Sequence, residues 1–148
     1  MIVISTFKKN KRNLFIVLVS LFLLPTFVMA TSVNADSQVK VYELRTYHTN
    51  EGKLPGLQAR FRDHTHTIFK RLGMEVAAYW VPTSEPKASN TLIYIIEHDS
   101  EADAKQKWQT FINDAAWVNA YKASIKDGAL VKSIDSMFMQ KTDFSPQL

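Results

Sequence analysis

A single imidazole on an otherwise apolar stripe is the side chain in this sequence best placed for chemistry. His64 lies three residues after Phe61 and four before Ile68, so on a helix it shares a face with Leu57, Phe61 and Ile68. An imidazole turned toward a sheet can act as a general base, or bind a ligand oxygen or a metal. It can equally be a core histidine satisfied by a partner such as a tyrosine hydroxyl. His66, two residues on, is rotated by about 200° around a regular helix. The two histidines therefore cannot chelate one metal, and His66 is expected to face solvent.

Glu43 and Arg45 are two residues apart in a strand-like segment and so fall on one strand face. If that face turns inward, a guanidinium beside a carboxylate is either a buried structural pair, within the chain or across a dimer, or an anion-recognition site. Tyr42, Tyr47, Tyr79, Trp80, Tyr94 and Trp108 give an aromatic interior. Most of it is core. The polar tips of Tyr and Trp still need partners, and an aromatic-lined cavity suits a flat apolar ligand, so Tyr42, Tyr79, Trp80 and Trp108 are candidate binding residues. His98 ends a strand just before a helix cap at Asp99. It either contacts that cap or joins the site. The absences exclude whole reaction classes. No cysteine means no thiol catalysis, and four glycines form neither a Gly-x-Ser-x-Gly elbow nor a phosphate loop. No His/Cys/Asp/Glu spacing matches a metal motif, and no cofactor is implied.

The elements that must position these residues read in order. Residues 39–48 are β-branched and aromatic, a strand. Leu54, Leu57, Phe61, Ile68 and Leu72 form one helical face, with Pro55 in the first turn and Gly73 where a left-handed cap belongs. Met74–Pro82 and Thr91–His98 are strands joined by a turn-rich loop. Asp99 or Ser100 caps a helix with Ala104, Trp108, Phe111 and Ile112 on its apolar face. Asn113-Asp114 starts a shorter helix through Trp117, Ala120 and Tyr121, and Ala129–Gln140 is the last strand. The order β-α-β-β-α-β is the ferredoxin-like motif, an α+β fold with a four-stranded antiparallel sheet and the helices on one face. Apolar residues occur on both parities of the first and third strands, so the second sheet face also needs cover. A second copy is the simplest cover, which predicts a homodimer.

The amino terminus carries a different message. Lys8, Lys9, Lys11 and Arg12 precede an apolar run over residues 14–30, followed by small-residue sites ending at Ala30 and Ala35. Basic, apolar, small is the order of a cleavable secretory signal, and Pro25 favours removal over a retained anchor. The expectation is a signal peptide over 1–35, cut after Ala30 or Ala35, and one domain over 36–148. That domain would be periplasmic or secreted and, once cut, free of the membrane. Taking those four basic residues from 18 Lys+Arg leaves 14 against 14 Asp+Glu. Near-neutral charge without a basic, aromatic-interleaved patch excludes a nucleic-acid partner.

Val41-Tyr42-Glu43-Leu44-Arg45-Thr46-Tyr47 resembles the strand-opening Glu-Leu-Arg-x-Tyr pattern of the NIPSNAP family. Phe61-Arg62-Asp63-His64-Thr65, Gly73-Met74, Tyr79-Trp80, Ser100-Glu101-Ala102 and the Asn113-Asp114-x-x-Trp117 element continue it, over residues 39–142. The resemblance implies the dimeric α/β-barrel architecture and brings no reaction with it. Two functions stay open. One is an exported domain that binds a small apolar or aromatic ligand, or acts as a scaffold. The other is a cofactor-independent monooxygenase, oxidase or isomerase acting on an aromatic or quinone-like substrate, with His64 as base and Arg45 or a Trp indole N–H stabilising an oxyanion.

Overall fold

The computed structural model describes residues 39–146. The expected signal peptide, its two cleavage sites and the domain start at residue 36 fall outside the described residues. Strand β1 (Val41–Thr49) leads into α1 (Leu54–Arg60), a five-residue π turn (Phe61–Thr65) and α2 (His66–Arg71). Then come β2 (Glu75–Trp80), a short 3-10 turn (Lys87–Ser89), β3 (Thr91–His98), α3 (Glu101–Ile112), α4 (Ala115–Ser124) and β4 (Val131–Met139).

Local chemistry sets the boundaries. Pro55 sits in the first turn of α1, where its missing N–H costs nothing. Gly73 follows α2 at φ +69°, a conformation open to glycine and strained for other residues. Ser100 caps α3 by accepting from the Asp103 N–H, and Asp114 caps α4 by accepting from the N–H groups of Ala116 and Trp117.

The sheet runs β2-β3-β1-β4, antiparallel throughout, which is the ferredoxin-like order. The helices cover one face, over a core that includes Leu57, Phe61, Phe69, Tyr94, Ile96 and Phe111. Register makes the two faces explicit. On the helix side, Tyr79, Tyr94, Arg45 and Ser136 form one cross-strand row, and Val76, Ile96, Glu43 and Phe138 form the next. On the other side, Ala78, Ile95, Leu44 and Met137 align across all four strands.

Two details differ from expectation. Residues 54–72 are not one regular helix. The His66 N–H reaches the Phe61 carbonyl, and the Thr65 hydroxyl donates to the Arg60 carbonyl at 3.2 Å, both five residues back. The widened turn puts Thr65, not His64, against the core. Ile112, expected on the apolar face of α3, is half exposed because Ala104, Trp108 and Phe111 already span the inward stripe.

Candidate functional site

Two arrangements on the helix side of the sheet gather polar groups. The first is centred on Glu43, which is 2% exposed. Its Oε1 accepts from Arg45 Nη1 and Ser136 Oγ, each at 2.6 Å. Its Oε2 accepts from Trp108 Nε1 at 2.6 Å and His98 Nε2 at 3.1 Å. Strand geometry brings these donors together: Arg45 is the next inward residue of β1, Ser136 and His98 are diagonal neighbours on β4 and β3, and Trp108 descends from α3. The Arg45 guanidinium also lies 4.1 Å from the Trp108 ring centre.

Burial alone would push the Glu43 carboxyl up. Hydrogen bonds from His98, Ser136, Trp108 and Arg45 outweigh it and hold the group down at about 2. Such a carboxylate is ionised at any neutral pH, and all four of its lone-pair positions are taken. It cannot serve as a general base, so the cluster is a structural charge network. Beside it the Tyr94 hydroxyl donates to the Tyr47 hydroxyl at 3.0 Å, and burial raises the Tyr94 group well above its ordinary value.

The second arrangement is a cleft of about 450 Å³ between the π turn and the end of β2. Phe61, Tyr79, Trp80, Val81 and Leu92 supply apolar walls, and Gln58, Arg62 and His66 supply the polar rim. The His66 Nδ1 lies 3.2 Å from the Tyr79 hydroxyl, with the two rings edge to face at 5.7 Å. Burial pushes the Tyr79 hydroxyl up to about 12, so it remains protonated and available as a donor or acceptor. A further groove of about 500 Å³ runs between α3 and β4, past Trp108, Ile112 and Phe138.

The predicted site residues thus separate. Arg45, Trp108 and His98 meet around Glu43, and His98 contacts that carboxylate rather than the helix cap. Tyr79 and Trp80 line the cleft. Tyr42 joins neither group: it lies on the opposite sheet face, buried, with Lys141 Nζ 5.4 Å from its ring. His64 is also displaced. It is exposed and lines neither the cleft nor the α3–β4 groove, because the π turn rotates it off the core face. His66, expected in solvent, is exposed yet seated against Tyr79. Gln58 and Ser136 have no sequence signal apart from their polarity, and Arg62 is marked only by its place in the family-like run Phe61–Thr65. Among the described residues no cluster of three His, Asp or Glu side chains is placed to hold a metal ion, and no helix is long and apolar enough to cross a membrane.

A family model described as NIPSNAP matches residues 42–146. Solved structures similar to this chain include an uncharacterized NIPSNAP-like domain protein from Burkholderia xenovorans, at 14% identity and a TM-score of 0.64, covering 75% of this chain and 92% of that one. A NIPSNAP family protein with unknown function from Agrobacterium tumefaciens is 24% identical with a TM-score of 0.62, covering 75% and 96%. A second from the same organism is 20% identical with a TM-score of 0.63, covering 72% and 97%. These likenesses are ones of fold. Among curated proteins none matches the chain.

Proposed function

The chain belongs to the NIPSNAP family, and on that premise we propose that it is an exported small-molecule-binding domain whose ligand lies in the cleft between the π turn and β2. The observation that carries this reading is the cleft itself. About 450 Å³ lined by aromatic and aliphatic side chains with the His66–Tyr79 pair at one wall is the usual composition of a small-ligand site. A π turn beside it fits the frequent occurrence of such turns at functional sites. The test is ligand-observed NMR on the purified protein with a set of small aromatic acids, alcohols and quinones. Binding that is weakened in Tyr79→Phe and His66→Ala supports the reading. Failure of every compound to bind at millimolar concentration, or binding indifferent to both substitutions, refutes it.

A second reading is favoured by the same imidazole. His66, rather than His64, is the imidazole that reaches the cleft, beside a hydroxyl that stays protonated, and would be the base of a cofactor-independent oxidase, monooxygenase or isomerase. Oxygen uptake or substrate loss with quinols, abolished in His66→Ala, would support it; unchanged quinol spectra would sink it. Arg45 is committed to Glu43 and takes no part.

We also propose that the protein works as a homodimer joined through the sheet face opposite the helices. Leu44, Ile93, Ile95 and Met137 lie on that face with Trp80, and Met137 and Trp80 are 55% and 46% exposed. Such a continuous apolar row is costly in water, and a second copy offers a face of matching shape and character.

A further inference from the structure

We infer that the cleft takes an apolar or aromatic molecule bearing one anionic oxygen group, of which a carboxylate is the simplest. This inference rests on the binding reading above and adds the charge of the ligand. Arg62 stands at the rim and, among the described residues, its side chain makes neither an ion pair nor a hydrogen bond with the rest of the protein. No Asp or Glu lines the cleft to neutralise it. An unpaired guanidinium beside an aromatic wall selects a ligand whose anionic end reaches the rim while its apolar body fills the interior.

The His66–Tyr79 pair fits the same polarity. One hydrogen bond joins His66 Nδ1 and the Tyr79 hydroxyl, and its direction depends on the imidazole tautomer. With the proton on Nδ1, the imidazole donates to the Tyr79 oxygen and leaves the Tyr79 proton free to point at a ligand. An anionic oxygen stabilises that arrangement, because it accepts from Tyr79 and lies beside the Arg62 guanidinium. A ligand ending only in hydrogen-bond donors would leave the Tyr79 proton without an acceptor and would meet the Arg62 charge without compensation. Gln58, with both an amide donor and an acceptor, tolerates either. The cleft is therefore polarised by Arg62 and Tyr79 together.

The test compares two probes of nearly equal shape, 1-naphthoate and the neutral 1-naphthamide, titrated calorimetrically into the purified protein near neutral pH. The acid is expected to bind about tenfold tighter than the amide, with an advantage that shrinks as salt is raised. Arg62→Gln, an exposed position whose change should leave the circular dichroism intact, is expected to cost the acid about tenfold and the amide less than about twofold. Tyr79→Phe should weaken the acid more than the amide. Equal affinity for both probes, or an acid affinity unmoved by Arg62→Gln, overturns the charge assignment and leaves the binding reading standing. If neither probe binds at millimolar concentration, the binding reading falls and takes this inference with it.

Discussion

Replacing Glu43 by Gln keeps the side chain's volume and removes its charge. The native carboxyl is held at about 2 against an ordinary 4.5. At about 1.4 kcal/mol per pH unit, that separation is worth about 3 kcal/mol. The amide has one acceptor oxygen where the carboxylate has two, and its nitrogen, a donor, is turned toward two other donors. Arg45, whose side chain is 15% exposed, is left without a countercharge. Removing one partner of a buried pair costs about 3–5 kcal/mol, so Glu43→Gln should lose about 3 kcal/mol at pH 7. The sign of the pH dependence follows from the lowered native value. The carboxylate's contribution is complete above pH 4.5 and is lost as the pH falls toward 2. The variant has nothing to titrate there, so the gap between the two proteins should close by about 2 kcal/mol between pH 7 and pH 3. Urea unfolding followed by tryptophan fluorescence, at one fixed protein concentration, measures this directly. A loss below about 1 kcal/mol at pH 7, or a gap that stays constant down to pH 3, would refute the account of Glu43 as the shared acceptor of four donors.

Phe69 is 1% exposed and meets the rings of Phe61, Tyr94, Trp108 and Phe111; Phe69→Ala should cost about 3–5 kcal/mol, seen as a lower denaturation midpoint. Asp114→Ala removes the α4 cap and the partner of Arg71, and should cost about 1 kcal/mol, with Asp114→Asn recovering most of it. Met137→Glu places a charge at the β4 end of the apolar row opposite the helices. Light scattering is expected to show a dimer for the wild type and a monomer for the variant, with the far-ultraviolet circular dichroism unchanged; a monomeric wild type would remove the dimer proposal.

The strands and caps were legible because their signals are local. The β-branched density of Thr91–His98 marks that strand with its observed bounds, and cap chemistry narrows the helix starts to Asp99 or Ser100 and to Asn113-Asp114, of which Ser100 and Asp114 are the caps. Apolar residues on both parities of β1 and β3 gave the fold its second apolar sheet face. Glu43 was legible only as a partner for Arg45. That it also holds Trp108, His98 and Ser136 depends on which diagonals β3 and β4 present, and pairing register is not written in β1. The misplacement of His64 has another cause. Phe61, His64 and Ile68 fit a period of 3.6, and one π turn is enough to break that period without altering the composition of the stripe. Tyr42 resembles the other aromatics only by type, since its even position on β1 puts it on the opposite face from Glu43 and Arg45.

That π turn also bears on how such chains are aligned. The π turn absorbs one extra residue, and winding the same sequence as an unbroken α-helix with nothing deleted would turn everything after it by about 100°. Ile68 and Phe69, both buried, would swing off the core, and His66 would leave Tyr79. A chain that builds this segment as an unbroken α-helix and keeps the same core must therefore be one residue shorter here. The gap in its alignment to this sequence belongs within residues 61–65, and forcing the two histidines into ungapped columns would pair side chains that point in different directions.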